Sequence, residues 1–186
     1  MQMFKRTALS LAIALPLLFL GCSGDKTADE GKMVAASTYH LVDTAGRDYN
    51  VTKEGLNFYV KGHEEKVVMF DIFATWCPPC RAEAPNLTHL QEKYRDDLLI
   101  LGLTIEDDIT NAQLDAFKET YGAAYAIVNS EDNEKLYRAI ASATKAGQRF
   151  PIPLMVMYKD GQYITHYIGQ TPEEMIESDI KKALGK

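Results

Sequence analysis

The run Lys66 to Ala74 (KVVMFDIFA) is apolar or β-branched at almost every position, and it leads directly into Trp76-Cys77-Pro78-Pro79-Cys80. A strand without a polar face cannot sit at a wet surface, so it belongs in the middle of a sheet covered on both sides. The rest of the chain offers the cover. Leu87, Leu90 and Tyr94 recur at helical spacing, and Leu98 to Leu103 (LLILGL) reads as a second buried strand. Thr110 with Gln113 forms a capping box, and Leu114, Phe117 and Tyr121 continue that helix. Tyr125 to Val128 reads as a third apolar strand and Leu136 to Ala143 as a short helix. Leu154 to Met157 then passes through Lys159-Asp160-Gly161 into Tyr163 to Ile168, a hairpin by its Asp-Gly turn. Thr171-Pro172-Glu173-Glu174 is expected to cap a last helix carrying Ile176, Ile180 and Leu184, and Tyr39 to Val60 to form an N-terminal hairpin around Ala45-Gly46. This alternation predicts an α/β fold, a mixed central sheet with helices on both faces, over residues 37–186.

Composition narrows the function. With 46% hydrophobic and 25% charged residues, 12 Gly and 7 Pro in 186, the chain is neither disordered nor fibrous. Its net charge is −6, and its basic residues cluster no further than pairs such as Lys5-Arg6 and Lys181-Lys182. A nucleic-acid partner, which needs a basic face, is not expected.

The N-terminal segment reads as an address. Lys5 and Arg6 precede Ala8 to Leu20, apolar except for Ser10 and interrupted by Pro16. Such a stretch rises roughly 20 Å as a helix, short of a ~30 Å hydrocarbon core, so it suits a signal peptide better than a permanent span. Its end, Leu18-Phe19-Leu20-Gly21-Cys22, resembles the lipoprotein box of bacteria, with Phe19 where leucine is usual. The resemblance implies a signal peptide over 1–21, a lipidated Cys22 and, over 22–36, a small, polar, flexible tether. Because the remaining chain is strongly acidic, anionic headgroups would not hold it, and a membrane location would rest on the acyl chains. Ser23 after Cys22 leans toward the outer membrane.

The chemistry falls on the other two cysteines. Covalent c-type haem needs His directly after the second Cys, where Arg81 stands. Structural zinc needs four ligands, yet there is no second CxxC, and His40, His63, His89 and His166 lack ligand spacing. Reversible disulfide chemistry needs only two sulfurs, the first at a helix N-terminus where the macrodipole and free amides favour thiolate. Cys77, with less chain covering it, is then the expected attacking thiolate, and Cys80, one turn on, the resolving thiol. Pro78 and Pro79 offer no N–H, so the Cys77 sulfur is expected to draw on the amides of Cys80 and Arg81. No cofactor is called for.

FATWCPPCRAEAP resembles the active site of the thioredoxin superfamily, in particular the membrane-tethered TlpA/ResA-like branch of bacterial thiol-disulfide oxidoreductases. The resemblance spans residues 37–186. It implies a thioredoxin-like fold with a helix–strand insertion, Thr110 to Val128, ahead of the cis-proline strand. Asp71, six residues before Cys77, matches the buried acid that assists proton transfer at the resolving cysteine. It falls in phase with Val67, Met69 and Phe73, so burial should raise its pKa, although a salt-bridged strand residue is the alternative. Pro85 matches the helix-kink proline. Pro153 matches the cis-proline, whose preceding residue, here Ile152, pairs with extended substrate; Pro151 would take that part only under a two-residue shift of register. Glu83, three after Cys80, matches a recurrent glutamate of the branch, the alternative being a surface helical glutamate. Trp76, Pro78 and Pro79 complete the implied substrate surface.

The implied activity is thiol-disulfide exchange in the cell envelope, facing the periplasm and more reductase than oxidant. Partners would be disulfides of exported proteins, among them apocytochromes c, and an electron donor in the membrane or periplasm. CPPC in place of CGPC means that thioredoxin's strongly reducing potential does not carry over. Two other readings compete. A thiol peroxidase resembling peroxiredoxins would hold its cysteine in PxxxTxxC, unlike ATWCPPC. A copper or haem chaperone would resemble CxxxC with a downstream His, unlike this CxxC.

Overall fold

A computed structural model describes residues 36–144, 146 and 149–186. The expected signal peptide, Cys22 and all but the last residue of the expected tether lie outside the described residues. In chain order the elements are β1 (Ser37–Val42), β2 (Asp48–Glu54), β3 (Asn57–Val60), β4 (Val67–Phe73), α1 (Pro78–Lys93) and β5 (Leu98–Thr104). There follow α2 (Asn111–Tyr121), β6 (Ala126–Val128), α3 (Asn133–Ala143), β7 (Leu154–Lys159), β8 (Gln162–Ile168) and α4 (Glu173–Ala183).

The central sheet has the order β6-β5-β4-β7-β8. β4, β5 and β6 run parallel, and β7 and β8 return antiparallel. β4 and β5 are buried at every residue, as their unbroken apolar sequences require. Side chains alternate between two separate apolar layers. Val67, Met69 and Phe73 of β4 pack with Leu87 and Leu90 of α1, Phe117 of α2 and Ile176 and Ile180 of α4. Val68, Phe70 and Ile72 pack with Leu136 and Ile140 of α3 and with Leu41, Val51, Phe58 and Val60 of the N-terminal strands. The architecture is thioredoxin-like, as expected.

Two local expectations are corrected. The N-terminal segment is a three-stranded antiparallel sheet, β1-β2-β3, rather than a hairpin. A second tight turn at Gly55, φ +64°, splits what reads as one β-like piece. The buried Asp43 organises the first turn: its Oδ1 accepts from the amides of Ala45 and Arg47, at 3.0 and 2.8 Å. The chain at Asp43 and Thr44 then bonds across to β6, through Asp43↔Val128 pairing and Thr44 N–H to Ile127 O at 3.0 Å, so an edge of the main sheet is covered.

Secondly, Thr171 does not cap α4. Pro172 occupies the cap position, and the Thr171 hydroxyl turns back to Gly169 O at 3.3 Å. Its amide is taken by a buried carboxylate, described below, which removes the usual capping geometry. The Thr110–Gln113 capping box on α2 is present in both directions. At the β7–β8 turn Asp160 and Gly161 both have positive φ, 53° and 73°, the primed geometry that suits the twist of a hairpin. Tyr59 lies against Gly161 where a Cβ would collide.

Candidate active site

β4 delivers the chain to the redox pair and α1 receives it. Cys77 is the N-cap of α1, in extended conformation, and Pro78 and Pro79 fill the first two helical positions, where their missing N–H groups cost nothing. The Cys80 amide points at the Cys77 sulfur at 3.4 Å. The Arg81 amide, expected to do the same, goes instead to the Cys77 carbonyl at 3.1 Å, as the first helical bond. One amide serves the sulfur, not two. Cys77 and Cys80 form a disulfide. Both are 3% exposed, so covering chain does not distinguish them. What sets Cys77 apart is its neighbour from the far end of the sequence: the Ile152 carbonyl oxygen lies 3.8 Å from its sulfur.

The remaining sequence-derived residues among those described come from β4, α1 and the loops that precede α1 and β7. The Ile152–Pro153 peptide is cis, Pro153 is buried, and its carbonyl accepts from Gly169 N–H at 2.9 Å. Trp76 is 59% exposed beside the disulfide, Pro78 is exposed and Pro79 is half-buried. Pro85 lies within α1 without ending it. Glu83 is no surface glutamate: it is 1% exposed, and its Oε2 takes the Thr171 amide at 3.0 Å. Burial pushes its pKa up, and that amide pulls it back.

Asp71 faces the α1 side of the sheet and is not salt-bridged. Its Oδ2 accepts the Tyr125 hydroxyl at 2.9 Å, and its Oδ1 is buried without a partner. Burial, opposed by the Tyr125 hydrogen bond and reinforced by the charge of Glu83, raises its pKa to about 7. The Oε1 of Glu83 is likewise buried and unpartnered. Two carboxyl groups, each with one buried oxygen lacking a partner and each with its pKa raised by burial, thus share the α1 side of the sheet with the cysteine pair.

Several supporting residues escaped the sequence reading. Glu106, just past β5, accepts the amide and hydroxyl of Thr75 at 2.6 and 2.9 Å and the hydroxyl of Thr104 at 3.1 Å. It thereby ties the loop before Cys77 to the neighbouring strand. Arg81 donates to the Thr75 carbonyl at 2.6 Å and lies over the Tyr121 ring, 5.0 Å from its centroid. No local motif announces these partners; the Gly within LLILGL, a break in an otherwise bulky strand, marks a different close approach, that of Tyr125 and Ile127.

A dithiol at the start of a helix, set against a cis-proline loop in a thioredoxin-like fold, defines a thiol-disulfide oxidoreductase. Residues 41–184 match the Redoxin family model. A thiol-disulfide oxidoreductase ResA from Bacillus thuringiensis subsp. konkukian is 26% identical over 181 residues, covering 96% of this chain and 98% of the relative. A thioredoxin-family thiol:disulfide interchange protein from Chlorobium tepidum superposes with a TM-score of 0.63 at 20% identity, over 84% of this chain and 99% of that one. A secreted Mycobacterium tuberculosis disulfide oxidoreductase homologous to Escherichia coli DsbE gives 0.54 at 17% identity, over 77% and 95%. The two structures are alike in fold. The chain belongs to the Redoxin family, and within the thioredoxin superfamily it is of the TlpA/ResA-like kind.

Proposed function

We propose that this protein is an envelope reductase that passes electrons from the Cys77–Cys80 dithiol to disulfides of exported proteins, apocytochromes c among them. The observation that carries this reading is the Cys77 sulfur, capped by the Cys80 amide at 3.4 Å and set 3.8 Å from the Ile152 carbonyl. A sulfur in that position attacks an extended disulfide substrate lying along Ile152 and Pro153, with Trp76, Pro78 and Pro79 as the apolar surround.

Cys77 thiolate attacks one substrate sulfur, forming a mixed disulfide and releasing the first substrate thiolate. Cys80 gives its proton to Asp71 and attacks the Cys77 sulfur. The Cys77–substrate bond breaks, the Cys77–Cys80 bond forms, and the second substrate thiolate leaves with the electron pair. Burial brings the pKa of Asp71 to about 7, and the charge of Glu83 adds to that shift. An electron donor of the membrane or periplasm restores the dithiol. The mature protein begins at a lipidated Cys22, with 22–36 as tether, facing the periplasm. The mycobacterial protein of like fold is secreted, which agrees with this placement.

The test is trapping in cells. Cys80→Ser should accumulate mixed disulfides through Cys77, and their identification names the substrates, whereas Cys77→Ser should trap nothing and show no insulin reduction with dithiothreitol. Full activity of Cys77→Ser, or capture of cytosolic proteins alone, would overturn the reading.

A further inference from the structure

Asp71 sits in β4 directly opposite Gly102 of β5, which in turn lies opposite Ile127 of β6. Gly102 is an ordinary-φ residue inside a strand of Leu and Ile, so the backbone does not require glycine there. Space does. A Cβ at this position would stand 3.1 Å from Tyr125 Cε2, 3.1 Å from Ile127 Cγ1 and 3.3 Å from Phe73 Cε1. Tyr125 enters just ahead of β6, two strands away from Asp71, and its fully buried ring reaches Asp71 by lying over the bare backbone of Gly102. A buried phenol needs a partner. Here the partner is the carboxylate that the redox chemistry requires, at 2.9 Å.

We propose that Tyr125 is a positioning residue of the redox site: admitted across β5 by Gly102, its O–H fixes Oδ2 of Asp71 and reserves Oδ1 for proton exchange with Cys80. The inference rests on the proposed role of Asp71 as acceptor of the Cys80 proton. Tyr125 itself keeps its proton, since burial and the nearby carboxylate raise its pKa well above the ordinary value. It therefore acts as a fixed donor and not as a relay. A donor held on a carboxylate favours the ionised form, the form that can take a proton from Cys80.

The other groups around Asp71 do not substitute for it. From α1 come Glu83, Cys77 and Cys80; Glu173 of α4 acts on Glu83, and Tyr167 of β8 is committed to Asp179 at 2.8 Å. Met155 of β7 and Phe117 of α2 carry no charge. Among the described residues the Tyr125 hydroxyl is the one hydrogen-bond donor to this carboxylate.

The test uses the full chain in its reduced form. Single-turnover reduction of a model disulfide is followed against pH, alongside an infrared titration of the buried carboxyl, with Asp71→Asn identifying both the acid limb and the band. Tyr125→Phe should raise the midpoint of Asp71 by about one pH unit and carry the acid limb with it. Gly102→Ala, which keeps the phenol but forces the ring to move by a few tenths of an ångström, should shift both in the same direction by less. If Asp71→Asn removes the limb while Tyr125→Phe and Gly102→Ala leave it in place, the role of Tyr125 is overturned and that of Asp71 stands. If Asp71→Asn leaves the limb unchanged, the role of Asp71 falls and this inference falls with it. Should Tyr125→Phe not fold, the shift in Gly102→Ala alone decides the outcome.

Discussion

The two faces of β4 are built from the same seven-residue strand and answer to different demands. On one face Val68, Phe70 and Ile72 meet a layer of aliphatic and aromatic side chains, in which the Tyr158 hydroxyl is buried without a partner. Phe70 packs edge-on to Phe58 and Tyr158, with ring centroids 6.2 and 5.8 Å apart. On the other face the alternation Val67, Met69, Asp71, Phe73 admits one carboxylate, and a second, Glu83, descends on it from α1. The first face receives no carboxylate from β4 and contributes stability chiefly through apolar burial. The second gives some of that up, since two buried carboxyl oxygens there lack partners. A strand supported so well from one side can carry a strained charge on the other.

That contrast can be broken from either side. The largest effect is expected from Phe70→Ala, which opens a cavity in the apolar face and should cost about 3–5 kcal/mol in urea unfolding. It should leave the pH dependence of disulfide exchange where it is; a moved acid limb would show that the two faces are not independent.

Asp71→Asn should act with the opposite sign. The folded pKa of Asp71, about 7, lies above its ordinary 3.8, so between those values the native state binds more protons than the unfolded one. Stability from this group is therefore greatest below pH 3.8 and is lost as pH rises toward 7, by on the order of 4 kcal/mol at most. Asn, which never ionises, should stabilise the protein at pH 8, with the gain shrinking as pH falls toward 4. An equal gain at all pH values would show that Asp71 does not change ionisation in this range.

The smallest effect sharpens the picture. Glu83→Gln keeps an acceptor for the Thr171 amide while removing a charge that raises the pKa of Asp71. The acid limb should move down by a fraction of a pH unit, opposite to the shift from Tyr125→Phe. A limb left in place would mean that the two carboxyls are not electrostatically coupled.

Much of this was legible in the chain. KVVMFDIFA and LLILGL could only be buried central strands, and CPPC at a strand's end could only start a helix, because apolar runs and prolines act locally. The pairing of Cys77 with Cys80 followed from their separation of three together with Arg81 in place of a haem-type His and the lack of a second CxxC. Asp71 showed itself by interrupting an apolar face. At one helix cap a distant partner decided the matter. Thr171 looked like a helix cap, but Glu83, from 88 positions earlier, claims its amide. The N-terminal hairpin became three strands because the turn at Gly55 leaves β3 free to pair back on β2.

Which segments would be buried, where the redox pair would sit and which carboxylate would be out of place could all be read along the chain. Those follow from side-chain period and local backbone chemistry. That Ile152 lies 3.8 Å from the Cys77 sulfur, that Glu106 holds the loop before it, and that Tyr125 reaches Asp71 across Gly102 came from the packing of the folded chain. Each of these joins residues from separate elements, and nothing in a residue's own neighbourhood states which strand will lie beside it once the chain has folded.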